Sequence, residues 1–265
     1  MKKQTLTSLN KLVAEGGKFT CLTSYDATMT SLINAAGVES ILVGDSLGMV
    51  IQGHQSTLPV TVDDIIYHTQ AVARANSTAF ILSDLPFMSY QNTETALINS
   101  GRVMQAGAEM IKLEGGEWLT ETVYRLAQNG VPTCVHMGLT PQSVNKFGGY
   151  RVQGRGEDAS TRMLNDAKAI EQAGADFLLL ECVPKPLAQA ITAQAGIPVI
   201  GIGAGPDTDA QVLVSADMLG MNLSHKARFV KDYLALTGHI VPAMELFVKE
   251  VKEGLYPAPE HWFES

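Results

Sequence analysis

The chain has 265 residues, of which 46% are hydrophobic and 17% charged, and it carries a net charge of −8. That much apolar material with that little charge excludes a disordered chain, and the length suits an α/β barrel, which needs about 250 residues. An acidic field repels polyanions, so the composition argues against a nucleic-acid partner.

The chain reads as short apolar runs alternating with helical segments. In order the runs are FTCLTSYD (19–26), ESILVGD (39–45), FILSD (80–84), MIKLE (110–114), PTCVHM (132–137), DFLLLE (176–181), IPVIGIG (197–203) and QVLVSAD (211–217). Continuous apolar runs suit strands buried on both faces, as in parallel sheets, and eight such strands are the number a closed (β/α)8 barrel requires. Thr61 precedes VDDIIYHTQAVARA and has Asp64 three residues later, a capping-box start for a helix. The AGA tripeptides at 106–108 and 173–175 are expected to stop helices just before strands four and six. The longest strand-to-helix connections follow strands two and five. The second, 138–156, is Gly-rich and long enough to act as a lid, although a flexible insertion would look the same. No linker or charge run divides the chain, so one barrel domain over 1–265 is expected. Its helical C-terminal extension, from 239 onward, would cap the barrel or dock on a neighbouring subunit.

Cys21, Cys134 and Cys182 are far apart and each is expected in a strand as a small buried hydrophobe, which points to a reducing compartment. Lys2 and Lys3 are not followed by an apolar stretch, so no secretory leader is expected, and no apolar run approaches the roughly 18 residues of a membrane span. The expected location is the cytoplasm.

Chemistry concentrates at strand ends. Asp45, Asp84, Glu114, His136 and Glu181 close their runs, and in a parallel barrel all such tips converge on the face that carries active sites. Any one of these carboxylates could instead cap the next helix. Together they repel unless a cation neutralises them, and a hard ion such as Mg²⁺ accepts one or two carboxylates with water and substrate oxygens. Lys112 lies two residues before Glu114, on the same side of its strand. A buried lysine needs an anion, so it holds an anionic ligand or forms an internal pair without catalytic duty. GDSLG (44–48) and GIGAG (201–205) follow strands, but neither has the spacing of a nucleotide-binding loop, and close backbone packing explains such glycines equally well.

Several strings are more specific. LVGDSLGMVIQGHQSTLPVTVDDIIYHT (42–69), SDLPFMSY (83–90), MIKLEGGEW (110–118), HMGLTPQSVNKFGGYRVQGR (136–155), LLLECVP (178–184) and PVIGIGAG (198–205) resemble the ketopantoate hydroxymethyltransferase family, from about residue 3 to 262. The resemblance implies a barrel of the phosphoenolpyruvate/pyruvate type. It also implies transfer of a one-carbon unit from 5,10-methylenetetrahydrofolate to 3-methyl-2-oxobutanoate, giving ketopantoate on the route to pantothenate and coenzyme A. It implies one Mg²⁺ per subunit, with Asp45 and Asp84 as ligands and Glu114 as a further metal-site acid. Ser46 and Lys112 would hold the keto acid together with Asp45 and Asp84. Glu181 would be the catalytic base, and Tyr25 and His136 would line the pocket. A homo-oligomer, a decamer of two pentameric rings, is also implied.

Two departures stand out. Position 210 is Ala where the family more often has Gly, within a stretch lacking the usual His beside its Asp, and Ser83 precedes Asp84 where Ala is common. Two other readings remain: a Mg-dependent carbon–carbon lyase or phosphonate mutase, whose expected nucleophilic-loop motif the sequence lacks, and a barrel that kept its fold but lost its chemistry, which should have lost a tip acid.

Overall fold

In the computed structural model, which describes residues 2–223 and 226–264, eight parallel strands close into a barrel in sequence order. They are β1 (Phe19–Thr23), β2 (Ser40–Val43), β3 (Phe80–Asp84), β4 (Met110–Glu114), β5 (Thr133–Gly138), β6 (Phe177–Glu181), β7 (Val199–Ile202) and β8 (Ala210–Leu213). The helices are α1 (Leu6–Ala14), α2 (Ala27–Ala35), α3 (Leu47–Val50), α4 (Val62–Ala75), α5 (Thr93–Gln105), α6 (Thr120–Gln128), α7 (Val144–Phe147), α8 (Glu157–Gln172), α9 (Lys185–Gln194), α10 (Ser215–Met218), α11 (Tyr233–Thr237) and α12 (Ile240–Lys252). Every predicted run therefore overlaps a strand, with β5 running on to Gly138 and β8 beginning one residue early at Ala210. Of the expected 1–265 span, residues 1, 224, 225 and 265 lie outside the described residues.

Alternation along the strands builds two apolar layers. Phe80 and Leu82, Met110, Cys134, Phe177 and Leu179 join one buried cluster, whereas Ile111 and Leu113, Val135 and Met137, Leu178 and Leu180 join another. The first set fills the barrel and the second meets the surrounding helices, as a period of two requires. Phe19, Phe80 and Phe177, each the first residue of its strand, meet at the N-terminal end, with Phe177 ring centroids 5.7 and 6.4 Å from the other two. Each such ring, once fully buried, contributes about 1.5–3 kcal/mol. This plug closes the barrel interior at that end.

The local signals hold in detail. Thr61 caps α4 reciprocally with Asp64, and both AGA segments end helices, with Gly107 at φ +114° and Gly174 at φ +101°. Only glycine takes such φ values without strain. Two expectations need correction. Strand eight ends at Leu213 rather than extending to 217. Ser215 donates its N–H to Thr23 Oγ1 (3.0 Å) and its hydroxyl to Thr23 O (2.5 Å), which turns the chain into α10. Cys182 lies one residue beyond β6, although all three cysteines are buried and free as expected.

The C-terminal helix α12 completes the outer ring. Ala243, Met244, Phe247 and Val251 form its buried face at helical spacing and join the cluster containing Phe19 and Ile33. Lys252 pairs with the buried Glu39, whose other oxygen accepts from the Thr20 N–H (2.9 Å) and hydroxyl (2.6 Å). Among the described residues no helix is long and apolar enough to cross a membrane.

Candidate active site

The strand register assembles the acidic tips. Asp84 pairs with Lys112, Glu114 with His136, and Gly138 with Glu181 across neighbouring strands. None of the five tip residues caps a described helix. After β1 that task falls to Asp26, whose carboxylate accepts from the Met29 N–H at 2.8 Å. The capping alternative for Asp45, Asp84, Glu114, His136 and Glu181 is thereby removed.

Asp45, just beyond β2, donates its main-chain N–H to Asp84 Oδ2 (2.9 Å). Lys112 Nζ donates to Asp84 Oδ1 (2.7 Å) and lies 3.9 Å from Glu114 Oε1. His136 stands between two acids, with Nδ1 3.2 Å from Glu114 Oε1 and Nε2 3.3 Å from Glu181 Oε2. Neither approach is aligned as a hydrogen bond, so Glu114 Oε1 and both ring nitrogens are buried without a well-formed partner. Tyr25 and Ser46 share a hydroxyl–hydroxyl hydrogen bond of 2.7 Å at the edge of the same mouth. All the residues expected from the sequence are therefore in one place. Ser83, one of the departures, bonds Thr69 on α4 at 2.9 Å and so has a local partner away from the mouth.

This density of buried charge perturbs ionisation. Burial, reinforced by Asp84 and Glu114, pushes the Asp45 carboxyl well above the usual carboxylate range. Burial also opposes ionisation of Glu114, but the adjacent His136 and then Lys112 outweigh it and hold Glu114 low. For Lys112, burial favours the neutral amine, yet Asp84, Glu114 and Asp45 together hold it protonated. His136 follows the same pattern, with burial overcome by Glu114 and Glu181, and is pushed from 6.5 up to about 9. A base raised in the folded state stabilises the fold fully below its unfolded pKa and loses that contribution as pH climbs through the folded value. In chelator, stability is therefore expected to fall by on the order of a few kcal/mol between pH about 6.5 and about 9. His136→Gln should flatten that slope in denaturant titrations, and an unchanged slope would contradict the assignment.

Three contributors were not identified from sequence. Gln142, in a short 3-10 turn (Pro141–Ser143) after β5, donates through Nε2 to Asp45 Oδ2 (2.8 Å) and through its main-chain N–H to Glu114 Oε2 (3.0 Å). Tyr90, after β3, donates its hydroxyl to Gln142 Oε1 at 2.6 Å. Tyr150 extends from the loop after β5 to Met49 Sδ (3.4 Å), and its hydroxyl is pushed up first by burial and then by Glu181, Asp45 and Glu114. Gln142 and Tyr90 occupy strings already recognised as specific, but a polar residue in a loop gives no sign of burial until the loop is folded. The first part of segment 138–156 is thus built into the mouth.

The backbone around Glu181 is tightly held. Leu139 donates its N–H to Glu181 O (2.8 Å), and Cys182, at φ +47°, accepts from the Gln153 N–H (3.1 Å). A non-glycine residue at such a φ is strained, a feature that concentrates at functional sites. Gly138 has φ +88°, and a Cβ there would lie 2.3 Å from Glu181 O. Gly138→Ala is expected to lower stability by about 1–3 kcal/mol and kcat by about a hundredfold, through displacement of Glu181. Wild-type turnover in that variant would separate Glu181 placement from the loop. The GIGAG glycines resolve to packing: a Cβ at Gly201 would meet Thr208 Oγ1 at 2.5 Å, and one at Gly205 would meet Lys185 Cγ at 2.8 Å.

A closed parallel barrel with ionisable groups gathered at the strand C-termini defines a (β/α)8 barrel whose polar site lies on the face that carries active sites in this fold. Solved structures agree on the fold. A putative lyase/mutase from Burkholderia cenocepacia J2315 superposes with a TM-score of 0.64 at 15% identity, covering 97% of each chain. A 2,3-dimethylmalate lyase of the PEP mutase/isocitrate lyase superfamily gives 0.62 at 15% identity, covering 94% of this chain and 96% of that one. A phosphonopyruvate hydrolase in complex with oxalate and Mg²⁺ gives 0.62 at 13% identity, over 80% and 81% of the two chains.

Sequence carries the assignment further. The profile of the ketopantoate hydroxymethyltransferase family matches residues 3–259. The 3-methyl-2-oxobutanoate hydroxymethyltransferase of Marinomonas sp. (strain MWYL1) is 56% identical, covering 100% of this chain and 96% of that protein. Its counterpart from Psychrobacter arcticus (strain DSM 17307 / VKM B-2377 / 273-4) is 57% identical over 98% and 99%. The chain belongs to the ketopantoate hydroxymethyltransferase family.

Proposed function

We propose that this protein transfers a hydroxymethyl group from 5,10-methylenetetrahydrofolate to 3-methyl-2-oxobutanoate, giving ketopantoate for pantothenate and coenzyme A synthesis. The observation that carries the reading is the convergence of Asp45, Asp84, Lys112, Glu114, His136 and Glu181 on one mouth, in a chain whose relatives bear the name of that activity.

The donor set fits a divalent cation. Asp45, Asp84 and Glu114 offer hard oxygens, Glu114 Oε1 is buried without a hydrogen bond, and the mutual repulsion that raises Asp45 is what a cation would relieve. Among the described residues no three His, Cys, Asp or Glu side chains stand close enough to enclose an ion alone. Mg²⁺ usually takes one or two protein carboxylates and completes its shell with water and substrate, so two of these acids would be enough to hold it. Asp45 and Asp84 would hold it, with Glu114 beside it, and when bound it would supply Lewis acidity to the keto oxygen.

The remaining work falls to the chain. Lys112, kept protonated among the acids, balances the substrate carboxylate, and Ser46 with Tyr25 orients it. Glu181 takes the proton from C3 of the keto acid, and His136, 3.3 Å away, steadies its charge. The methylene carbon is bound to both folate nitrogens, so two C–N bonds break: the electron pair left at C3 replaces one nitrogen, and the oxygen of one water replaces the other. The two nitrogens take up the C3 proton, relayed by Glu181, and the proton released from that water. Segment 138–156 excludes bulk water during this step, with Tyr150 closing towards Met49.

The expected place of action is the cytoplasm. A homo-oligomer is supported by exposed Tyr67, Ile98 and Tyr124 on the adjacent helices α4, α5 and α6, and a decamer is the family's implied form. The test is mass-spectrometric detection of ketopantoate after incubating the purified protein with both substrates and Mg²⁺. Cleavage of an isocitrate-type substrate without ketopantoate formation would favour the lyase reading instead.

A further inference from the structure

We propose that Gln142 is a positioning residue that makes the acidic mouth discriminate a small octahedral cation from a larger one. The inference rests on the assignment of a divalent cation to Asp45, Asp84 and Glu114. Gln142 is buried, 6% exposed, and both ends of its amide are committed. Nε2 donates to Asp45 Oδ2 (2.8 Å) and to Leu85 O (3.0 Å), while Oε1 accepts from the Tyr90 hydroxyl (2.6 Å). The opposite amide orientation would set Oε1 against a carboxylate and a carbonyl, so the donor end is fixed towards Asp45.

The same residue occupies a second acid through its backbone, since its main-chain N–H donates to Glu114 Oε2 at 3.0 Å. One oxygen of each carboxylate therefore faces an N–H hydrogen, whose positive charge opposes a cation. Asp45 Oδ1 accepts no hydrogen bond from the described residues, whereas Glu114 Oε1 faces His136 Nδ1 at 3.2 Å and Lys112 Nζ at 3.9 Å. Asp45 thus presents a single oxygen, and Glu114 has no second oxygen free for a two-oxygen grip. Mg²⁺ binds single carboxylate oxygens in a compact octahedron, whereas Ca²⁺ takes 6–8 oxygens and favours carboxylates that grip with both. Holding one oxygen of each acid away penalises the larger ion.

The test uses Mn²⁺ alone as the probe, its binding followed by electron paramagnetic resonance in the full-length protein without substrate, with Mg²⁺ and Ca²⁺ as competitors. In Gln142→Leu the ratio of Mg²⁺ to Ca²⁺ competition constants should move towards Ca²⁺ by about tenfold or more, the size typical of partners that orient metal ligands. Tyr90→Phe, which frees the amide but keeps the glutamine, should move the ratio the same way by less, and covers the case in which Gln142→Leu does not fold. Ratios within twofold of wild type in the variants that fold, with Mn²⁺ still bound, would overturn the inference while leaving the cation assignment intact. Failure of the wild type to bind Mn²⁺ would overturn both.

Discussion

Asp84→Ala is expected to cost the folded protein about 3–5 kcal/mol and to abolish Mg²⁺-dependent binding of the keto acid. Both effects follow from the two oxygens of one side chain. Oδ1 accepts from Lys112 Nζ at 2.7 Å, with the lysine and aspartate side chains only 5% and 1% exposed. Removing the carboxylate leaves a buried ammonium with Glu114 Oε1 at 3.9 Å as its nearest remaining acid. Oδ2 accepts the Asp45 N–H, so its loss also strands a buried donor beside the second proposed ligand. Denaturant unfolding checks the first effect, and calorimetry with 3-methyl-2-oxobutanoate and Mg²⁺ checks the second. Asp84→Asn keeps an acceptor for Asp45 but not the charge, and should recover part of the stability and none of the binding. Unaltered binding in Asp84→Ala would remove the residue from the site.

The largest effect on turnover should come from Glu181. At 15% exposure its side chain is more open than Asp84, Lys112, Glu114 or His136 and reaches the mouth where a substrate carbon can approach. Gln has the same shape and cannot accept the proton. Glu181→Gln should therefore lower kcat by about 10²–10⁴ while leaving KM for the keto acid within a few fold. Loss confined to KM would make Glu181 a binding group.

The sequence shows much of this molecule because parallel barrels write their layers plainly. Continuous apolar runs mark every strand, and Asp45, Asp84, Glu114, His136 and Glu181, at or beside the ends of five of them, mark the mouth, because a parallel barrel brings those tips to one face. Residues whose position depends on how a loop folds were invisible. Gln142 reads as an ordinary polar residue within LTPQSV, yet the turn after Gly138 buries it between Asp45 and Glu114. Tyr90 and Tyr150 were hidden for the same reason. The end of strand eight is not legible in the sequence because the Ser215–Thr23 bonds that bend the chain join residues 192 positions apart. The division of labour among the acids came from family resemblance, whereas their mutual distances came from the register.

Proton exchange at C3 of 3-methyl-2-oxobutanoate, followed by NMR in deuterated water without any folate, tests the proposed chemistry most directly. The wild-type protein with Mg²⁺ should wash deuterium into C3, and exchange should stop in chelator and resume when Mg²⁺ is restored. Exchange that persists in chelator, or its absence with Mg²⁺ present, would contradict a cation-assisted proton abstraction at this mouth.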